Sequence, residues 1–275
     1  MIVSRTDDDN SSTSGIIGLN NIELSHIRAL VTRPKEQAKP LAELIQQQSG
    51  QAWVMPMMTI EPYPESQAIR SRVLELDQYH KVIVISHHAA RLAMEHIEVY
   101  WPQLPIGIQW YAIGEKTRAT LDDFDVASVC PKQALDSETL LSLPDFQSVA
   151  GEKVLLIKGK GGRDLLRHTL ADRGAQVDEL ELYQRQRPEY SCGQLSSLIK
   201  EHRINVILAS SGEILANTAH YLSSDFCEHC HLIVPSKRVE ALAINMGFTR
   251  VHTAEGASNN AMLSAMNLIN SEGLS

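Results

Sequence analysis

The chain has 275 residues, a formal net charge of −8 at neutral pH, 43% hydrophobic residues and 21% charged residues. This composition is typical of a globular protein with room for two domains. The negative charge argues against broad binding to nucleic acid or anionic membranes, although it permits a local basic pocket. No apolar run has the length of a membrane-spanning helix.

The first 26 residues are rich in Ser, Asn, Asp and Gly and have no sustained hydrophobic periodicity. We expect them to form a disordered tail. They lack the basic region followed by an apolar core that marks a secretory signal. We therefore expect the chain to work in the cytoplasm.

Behind the tail, strands and helices alternate. A strand is predicted at Ala29–Thr32, and the segment Leu30–Pro62 continues with a helix at Lys35–Gln48 that Gly50 ends and a second strand at Gln51–Met55. The proline-rich run TIEPYPE that follows suits an extended connector better than a core strand.

The middle of the chain continues the alternation and then repeats the first pattern. Predicted strands and helices follow one another at Lys81–Ile85, His88–His96, Gln109–Ile113, Glu115–Leu121, Val126–Cys130 and Ser137–Leu143. The segment Leu155–Pro188 then has the order seen in Leu30–Pro62: strand, basic turn, amphipathic helix, glycine, strand and a polar run ending in proline. Two copies of one pattern predict two similar α/β units.

The last part adds three more strand–helix pairs. They are predicted at Asn205–Ala209, Glu213–Tyr221, Leu232–Pro235, Val239–Met246, Val251–Thr253 and Asn259–Ile269. Strands separated by helices indicate parallel sheets with helices on both faces.

The order of the elements predicts a discontinuous domain. The first copy has two strands and the last part has three, which together make a five-stranded sheet. We expect domain 1 to combine residues 27–58 and 188–275, and domain 2 to span residues 63–182. Two antiparallel connectors, residues 59–62 and 183–187, would join them, with a ligand cleft between the domains.

Polar and basic residues follow the predicted strands, where ligands of parallel sheets bind. Small, hydroxyl-bearing, glycine-rich or basic junctions occur at residues 32–34, 86–88, 114–117, 158–163, 210–212 and 236–238. Together they favour a polyanionic ligand, since helix N-termini and basic side chains bind anions. Taken singly, each Ser or Thr is explained by helix capping.

Cofactor and metal motifs are weak. Cys227, Cys230 and His231 match the C-x-x-C-H haem pattern, but no export signal is present, and Cys230 is expected to be buried where a strand starts. Zinc is the alternative there. The pair His87 and His88 is expected to be an exposed junction. Dinucleotide, phosphate-loop and nucleophile-elbow motifs are missing, so we expect no metal and no cofactor.

Six segments in this order resemble the uroporphyrinogen-III synthase family over about residues 28–268. They read LVTRP, VISHHAARLA, YAIGEKTRATL, LLIKGKGGRDLL, ELYQR and ILASSGEIL. The resemblance implies two flavodoxin-like lobes with parallel sheets, joined by a two-stranded antiparallel connector. It also implies a cofactor-free cyclisation of hydroxymethylbilane, a linear tetrapyrrole with eight carboxylates, to uroporphyrinogen III with loss of water and inversion of ring D.

The resemblance also suggests site residues. Tyr183, in LYQR, matches the family's tyrosine, and its phenol could donate a proton to the leaving hydroxyl. The alternative is a connector tyrosine that packs on a lobe. The candidate substrate-binding residues are Arg33, Ser86, His87, Gly114, Thr117, Lys158, Gly159, Lys160, Arg163, Ser210, Ser211, Gly212 and Lys237. The family often has a Gly-Pro-Thr-Thr type turn where this chain has Ser236-Lys237-Arg238-Val239, so a cation would replace a hydroxyl there.

We expect the only partner class to be the small-molecule substrate, with neither nucleic acid nor membrane, and a monomeric chain. A transient hand-over of substrate from the preceding enzyme of the pathway stays open. Two interpretations in which the protein is not a catalyst also stay open. One is a two-lobed module that binds an anionic metabolite, and the other is a degenerate synthase-like interaction protein. The binding module would not need Tyr183.

Overall fold

The computed structural model describes residues 23–131, 137–162, 164–222 and 229–272. Of the predicted tail, residues 1–22 lie outside this range. Leu24, near the tail's predicted end, is fully buried, and its N–H donates to the Gln48 carbonyl at 2.8 Å. Among the described residues, no helix has the length and apolar character that crossing a membrane requires.

The elements of the described chain alternate as the sequence predicts. The strands are β1 (Arg28–Val31), β2 (Gln51–Val54), β3 (Thr59–Pro62), β4 (Lys81–Val84), β5 (Gln109–Ala112), β6 (Ser128–Val129), β7 (Lys153–Lys158), β8 (Gln176–Glu181), β9 (Tyr183–Gln186), β10 (Val206–Leu208), β11 (His231–Val234) and β12 (Val251–Thr253). The α-helices are α1 (Lys35–Gln47), α2 (Gln67–Leu74), α3 (His87–Tyr100), α4 (Glu115–Asp122), α5 (Ser137–Leu141), α6 (Leu165–Asp172), α7 (Gln194–His202), α8 (Gly212–Tyr221), α9 (Lys237–Asn245) and α10 (Asn259–Glu272).

The chain divides into two compact units. Unit one contains the residues up to Met58 and those from Arg187 onward, and unit two contains Thr59–Gln186. Each has a five-stranded parallel sheet, ordered β12-β11-β10-β1-β2 in unit one and β6-β5-β4-β7-β8 in unit two. The predicted fold class, two parallel α/β lobes, is confirmed.

The two copies of the sequence repeat occupy equivalent places in the two sheets. The first copy gives β1, α1 and β2, and the second gives β7, α6 and β8. The second strand of each copy, β2 or β8, lies at the edge of its sheet. The first strand, β1 or β7, lies next to it and pairs on its other side with β10 or β4. The copy opens unit one and closes unit two. Unit two therefore has the strand order of unit one with a circularly permuted connectivity.

The connectors pair as a short antiparallel ladder. Strands β3 and β9 run from the pair Thr59–Gln186 to the pair Pro62–Tyr183, and both belong to unit two. The predicted two-stranded connector is confirmed. The ladder fixes the position of Tyr183, one of the predicted site residues, through its pairing with Pro62.

Helices cover both faces of the unit-two sheet because its central strands are apolar on both sides. Val82, Ile83 and Val84 of β4 are all fully buried. Successive strand residues point to opposite faces. Val82 and Val84 therefore pack in the cluster that contains α3, while Ile83 packs with Tyr111 and other residues on the opposite face.

The sequence analysis missed two α-helices of the described chain and did not give the full length of α3. Helix α2 buries only Ile69 and Val73, and α7 buries only Leu195 and Ile199, so each has a narrow apolar face that periodicity hardly reveals. Helix α3 begins one residue earlier and ends four residues later than the predicted His88–His96.

Candidate active site

The carboxyl ends of β4 and β7 lie side by side in unit two, where the order of strand connection reverses. Such a reversal is the usual ligand position in an open parallel sheet. Ser86 follows β4, and Gly159 and Lys160 follow β7. Tyr183, the first residue of β9, reaches the same place, because its hydroxyl lies 2.9 Å from the Ser86 Oγ.

A cavity of about 430 Å³ opens at this point, within the range of small-molecule sites. It brings together four predicted site residues, Ser86, Lys158, Gly159 and Tyr183. Its lining also includes charged residues that the sequence analysis missed: Glu138, Arg167, Glu179 and Arg185. They lie within helices or strands. The one available signal was for Arg185, which ends the ELYQR segment and stands two residues after Tyr183, on the same side of β9.

The ring and backbone of Tyr183 are held tightly. The Lys160 N–H donates to the Tyr183 carbonyl at 2.7 Å, and the Leu182 N–H donates to the Lys158 carbonyl at 3.0 Å. A Cβ atom added to Gly159 would lie 2.5 Å from both Cε2 and Cζ of the Tyr183 ring. Glycine is therefore the residue that allows the ring to lie against this turn. The residue is 6% exposed.

Ser86 caps α3 as well as contacting Tyr183. Its backbone is extended, and its Oγ accepts the Ala89 N–H at 3.0 Å. This satisfies one of the free N–H groups at the helix start. The tyrosine hydroxyl consequently lies near the positive end of a 14-residue helix.

His88 packs against the same tyrosine. Its ring centroid is 5.9 Å from that of Tyr183 in an edge-on arrangement, and only 6% of the residue is exposed. Burial, followed by the charges of Lys116 and Arg91, lowers the pKa of His88 to about 4, so the ring is neutral at pH 7. The expectation of an exposed histidine pair is wrong for His88, because α3 already begins at His87 and turns the next residue inward.

The lysine at the end of β7 is already paired. Lys158 is buried, its Nζ donates to the Glu179 carboxylate at 2.8 Å, and it lies 3.9 Å from Asp164. A substrate carboxylate would have to compete with Glu179 for this ammonium. Lys160, two residues on, is exposed. Arg163 lies outside the described residues.

Two further candidates, Gly114 and Thr117, follow β5, one strand further along the sheet. Gly114 caps α4 without a side-chain hydrogen bond, and Thr117 is buried in the first turn of that helix. His87, the first residue of α3 after β4, has its ring tilted against that of His88, with the centroids 3.9 Å apart.

In unit one, the candidate residues have local structural roles. Ser211 caps α8 by accepting the Ile214 N–H at 3.2 Å, as Ser86 caps α3. Ser210 is partly exposed beside it, and Gly212 is the first residue of the helix. Lys237 is exposed and forms an ion pair with Glu240 at 2.7 Å. The capping explanation is therefore confirmed for Ser86 and Ser211.

Arg33 is buried in unit one rather than free in solvent. Its Nη1 donates to the Asn259 Oδ1 and its Nη2 to the Ala257 carbonyl, each at 2.6 Å. Burial lowers the pKa of its guanidinium. These bonds tie the end of β1 to the start of α10.

Within the described ranges, no cluster of three or more His, Cys, Asp or Glu side chains has the arrangement of a metal site. Cys230 is buried just before β11, as predicted. Cys227, the other cysteine of that motif, lies outside the described residues.

Comparison with known proteins identifies the family. The family model described as uroporphyrinogen-III synthase HemD matches residues 39–264, which is well over half of the chain. The chain belongs to the uroporphyrinogen-III synthase family. The resemblance seen in the sequence is thereby confirmed.

Individual uroporphyrinogen-III synthases agree with this assignment. The protein from Escherichia coli (strain K12) is 29% identical over 245 residues, which cover 86% of this chain and 98% of that protein. Crystal structures of the synthases from Thermus thermophilus (a mutant) and Helicobacter pylori match with TM-scores of 0.63 and 0.61 at 16% and 15% identity. Each match covers 90% of this chain and 100% of the other, and at such identities it shows the shared fold.

Proposed function

We propose that this chain cyclises hydroxymethylbilane to uroporphyrinogen III, the reaction of its family, and that Tyr183 is the proton donor. The observation that carries the proposal is the Tyr183 hydroxyl, which is held by Ser86 where the cavity meets the carboxyl edge of the unit-two sheet. A binding module would not need a phenol fixed in this way.

The proposed reaction takes up one proton and releases one, and it needs no oxidant or reductant. The C–O bond of the hydroxymethyl group breaks while the Tyr183 hydroxyl supplies a proton, so that water leaves and an azafulvene cation remains. The substituted carbon of ring D attacks this cation and forms a spiro-pyrrolenine, whose rearrangement inverts the ring. The last step releases a proton from a pyrrole carbon, which can restore the phenol.

The position of Tyr183 suits a group that gives up a proton. General acid catalysis requires a donor within hydrogen-bond reach of the leaving oxygen. As the proton leaves, negative charge develops on the phenol oxygen, and the N-terminus of α3 is favourably placed to stabilise it.

The cations around the cavity support a polyanionic substrate. Lys158, Arg167 and Arg185 line it against two carboxylates, Glu138 and Glu179, and Glu179 is the partner of Lys158. We propose that these cations and the N–H groups at the helix starts bind carboxylates, and that the hydroxyl-bearing candidates Thr117, Ser210 and Ser211 contribute neutral hydrogen bonds. Holding the flexible bilane in one curled conformation accounts for the choice of isomer, because orientation decides which carbon reaches the cation.

We further propose that the chain acts as a monomer in the cytoplasm without metal or organic cofactor. We also propose a transient hand-over of substrate from the preceding enzyme, because direct transfer shortens the time that an unstable linear tetrapyrrole spends in solution.

The test of the function is the identity of the product. The purified full-length chain is incubated with freshly prepared hydroxymethylbilane, the product is oxidised, and the uroporphyrin isomers are separated. We expect the type III isomer, equally before and after dialysis against a chelator. A product that contains only the uninverted isomer, which also forms without enzyme, would overturn the proposal. Activity that is lost on chelation and restored by zinc would overturn the metal-free part alone.

A further inference from the structure

Ser86 makes two hydrogen bonds that differ in kind. Its Oγ accepts the Ala89 N–H at 3.0 Å and lies 2.9 Å from the Tyr183 oxygen. A serine hydroxyl has one hydrogen and two lone pairs. The capping bond uses one lone pair and leaves the hydrogen free to point at Tyr183.

We propose that Ser86 is a positioning residue that donates its hydrogen to the Tyr183 oxygen and stabilises the phenolate formed when Tyr183 gives up its proton. This inference rests on the proposed function. If Tyr183 protonates the leaving hydroxyl, its own hydrogen must point to the substrate and cannot serve Ser86. The phenolate that remains can only accept, so Ser86 must be the donor.

The surroundings restrict the phenol to this geometry. The ring lies against the turn after β7, in the space that a Cβ at Gly159 would need, since an added Cβ would be 2.5 Å from it. The edge-on ring of His88 is neutral at pH 7. It therefore supplies no positive charge that could stabilise the phenolate in place of the hydrogen bond from Ser86. A hydrogen bond to an ionised oxygen is roughly twice as strong as one to a neutral oxygen. The bond from Ser86 therefore strengthens during the reaction, as transition-state stabilisation requires.

The test removes the hydroxyl while largely keeping the helix cap. Glycine is almost as good an N-cap as serine, and Gly114 already caps α4 in the same unit. We expect Ser86→Gly to lower kcat about ten- to a hundredfold, the value of a hydrogen bond to a charged group, with KM changed less than about twofold. The matched control is Ser66→Gly, because Ser66 caps α2 in the same unit by accepting the Ile69 N–H at 3.2 Å. This variant should keep wild-type kcat, and thermal unfolding should show that both variants fold.

A double-mutant cycle separates positioning from a general structural effect. If Ser86 acts through Tyr183, Ser86→Gly should lower kcat in the wild-type background and have no further effect in Tyr183→Phe. Ser86→Thr, which keeps a hydroxyl, should restore most of the kcat lost in Ser86→Gly.

The outcomes distinguish this inference from the proposed function. Wild-type kcat in Ser86→Gly, or an equal fall of kcat in both backgrounds, would overturn the role of Ser86 and leave the function intact. A wild-type chain that forms no type III isomer would overturn both.

Discussion

Single residues around Tyr183 decide where its hydroxyl lies, and Gly159 is the one that acts by having no side chain. The backbone at Gly159 is not in the left-handed region, so alanine is conformationally acceptable there and its effect comes from the clash with the ring. We expect Gly159→Ala to displace the phenol and to lower kcat roughly 10²-fold, the scale of a 1 Å misplacement of a reacting group.

The control for that variant is Gly151→Ala in the same unit. Gly151 has a φ of +79° and no atom within 4 Å of an added Cβ. Alanine should therefore cost about 1 kcal/mol of stability from backbone strain and leave kcat unchanged. Steady-state kinetics and thermal unfolding of both variants check the prediction. Wild-type kcat in a folded Gly159→Ala would show that the phenol position is not critical.

His88 makes a prediction about pH and stability. Its pKa is about 4 in the folded chain, against an ordinary value of 6.5. Between these values the unfolded chain binds more protons than the folded one, so stability falls as the pH is lowered through this window. Through this titration the wild type should lose on the order of 1–2 kcal/mol of its free energy of unfolding between pH 7 and pH 5. We expect His88→Gln not to show this loss.

Denaturant unfolding at both pH values measures this effect. His26→Gln is the control, because His26 is an exposed histidine in unit one. If His88→Gln and the wild type lost the same stability on acidification, His88 would not be the group responsible.

At the scale of elements, Arg33 joins the end of β1 to the start of α10. The sequence analysis made it a candidate substrate-binding residue, and its two bonds to Asn259 and Ala257 favour a structural role. We expect Arg33→Met to lower the free energy of unfolding by about 1–3 kcal/mol, since it removes two hydrogen bonds that a buried charged group donates, and to leave KM unchanged within about twofold.

Lys35→Met is the matched control, because this neighbouring cation is exposed at the same junction. It should change neither quantity. A large rise in KM for Arg33→Met, with stability like that of Lys35→Met, would show that Arg33 binds the substrate.

The elements with strong periodicity could be predicted from the sequence, and those with narrow apolar faces could not. Helix α1 buries Ala38, Leu41, Ala42 and Ile45 at helical spacing, which makes its prediction secure. Helices α2 and α7 bury two residues each. Their formation depends on packing against the finished sheet, which local sequence does not record.

The site was predictable to the extent that it follows strand ends. Ser86, Lys158 and Gly159 follow directly from that rule, and Tyr183 came from the family resemblance. The rule could not show that Glu179 already neutralises Lys158, because the partner comes from the neighbouring strand β8. Nor could it show that His88 is buried, since this depends on where α3 begins.

On the scale of the whole molecule, one repeated segment accounts for both sheets. Its copies occupy equivalent strand positions, although they open one unit and close the other. The sequence repeat predicted two similar units. The permuted connectivity is visible only in the strand order of the two sheets. The permutation brings β9, and with it Tyr183, directly after β8 and back to the carboxyl end of β7, where the Lys160 N–H binds the Tyr183 carbonyl.

The central claim is that Tyr183 of this chain donates the proton with which hydroxymethylbilane loses water. The most direct test compares the rate of type III isomer formation by the wild type, by Tyr183→Phe and by Tyr63→Phe, a partly buried control whose hydroxyl lies 3.4 Å from the Gln184 Oε1. We predict that Tyr183→Phe stays folded and loses about 10²–10⁴-fold in turnover, the usual worth of a general acid, while Tyr63→Phe keeps wild-type turnover. Wild-type turnover in a folded Tyr183→Phe would contradict the account and assign the proton to another donor.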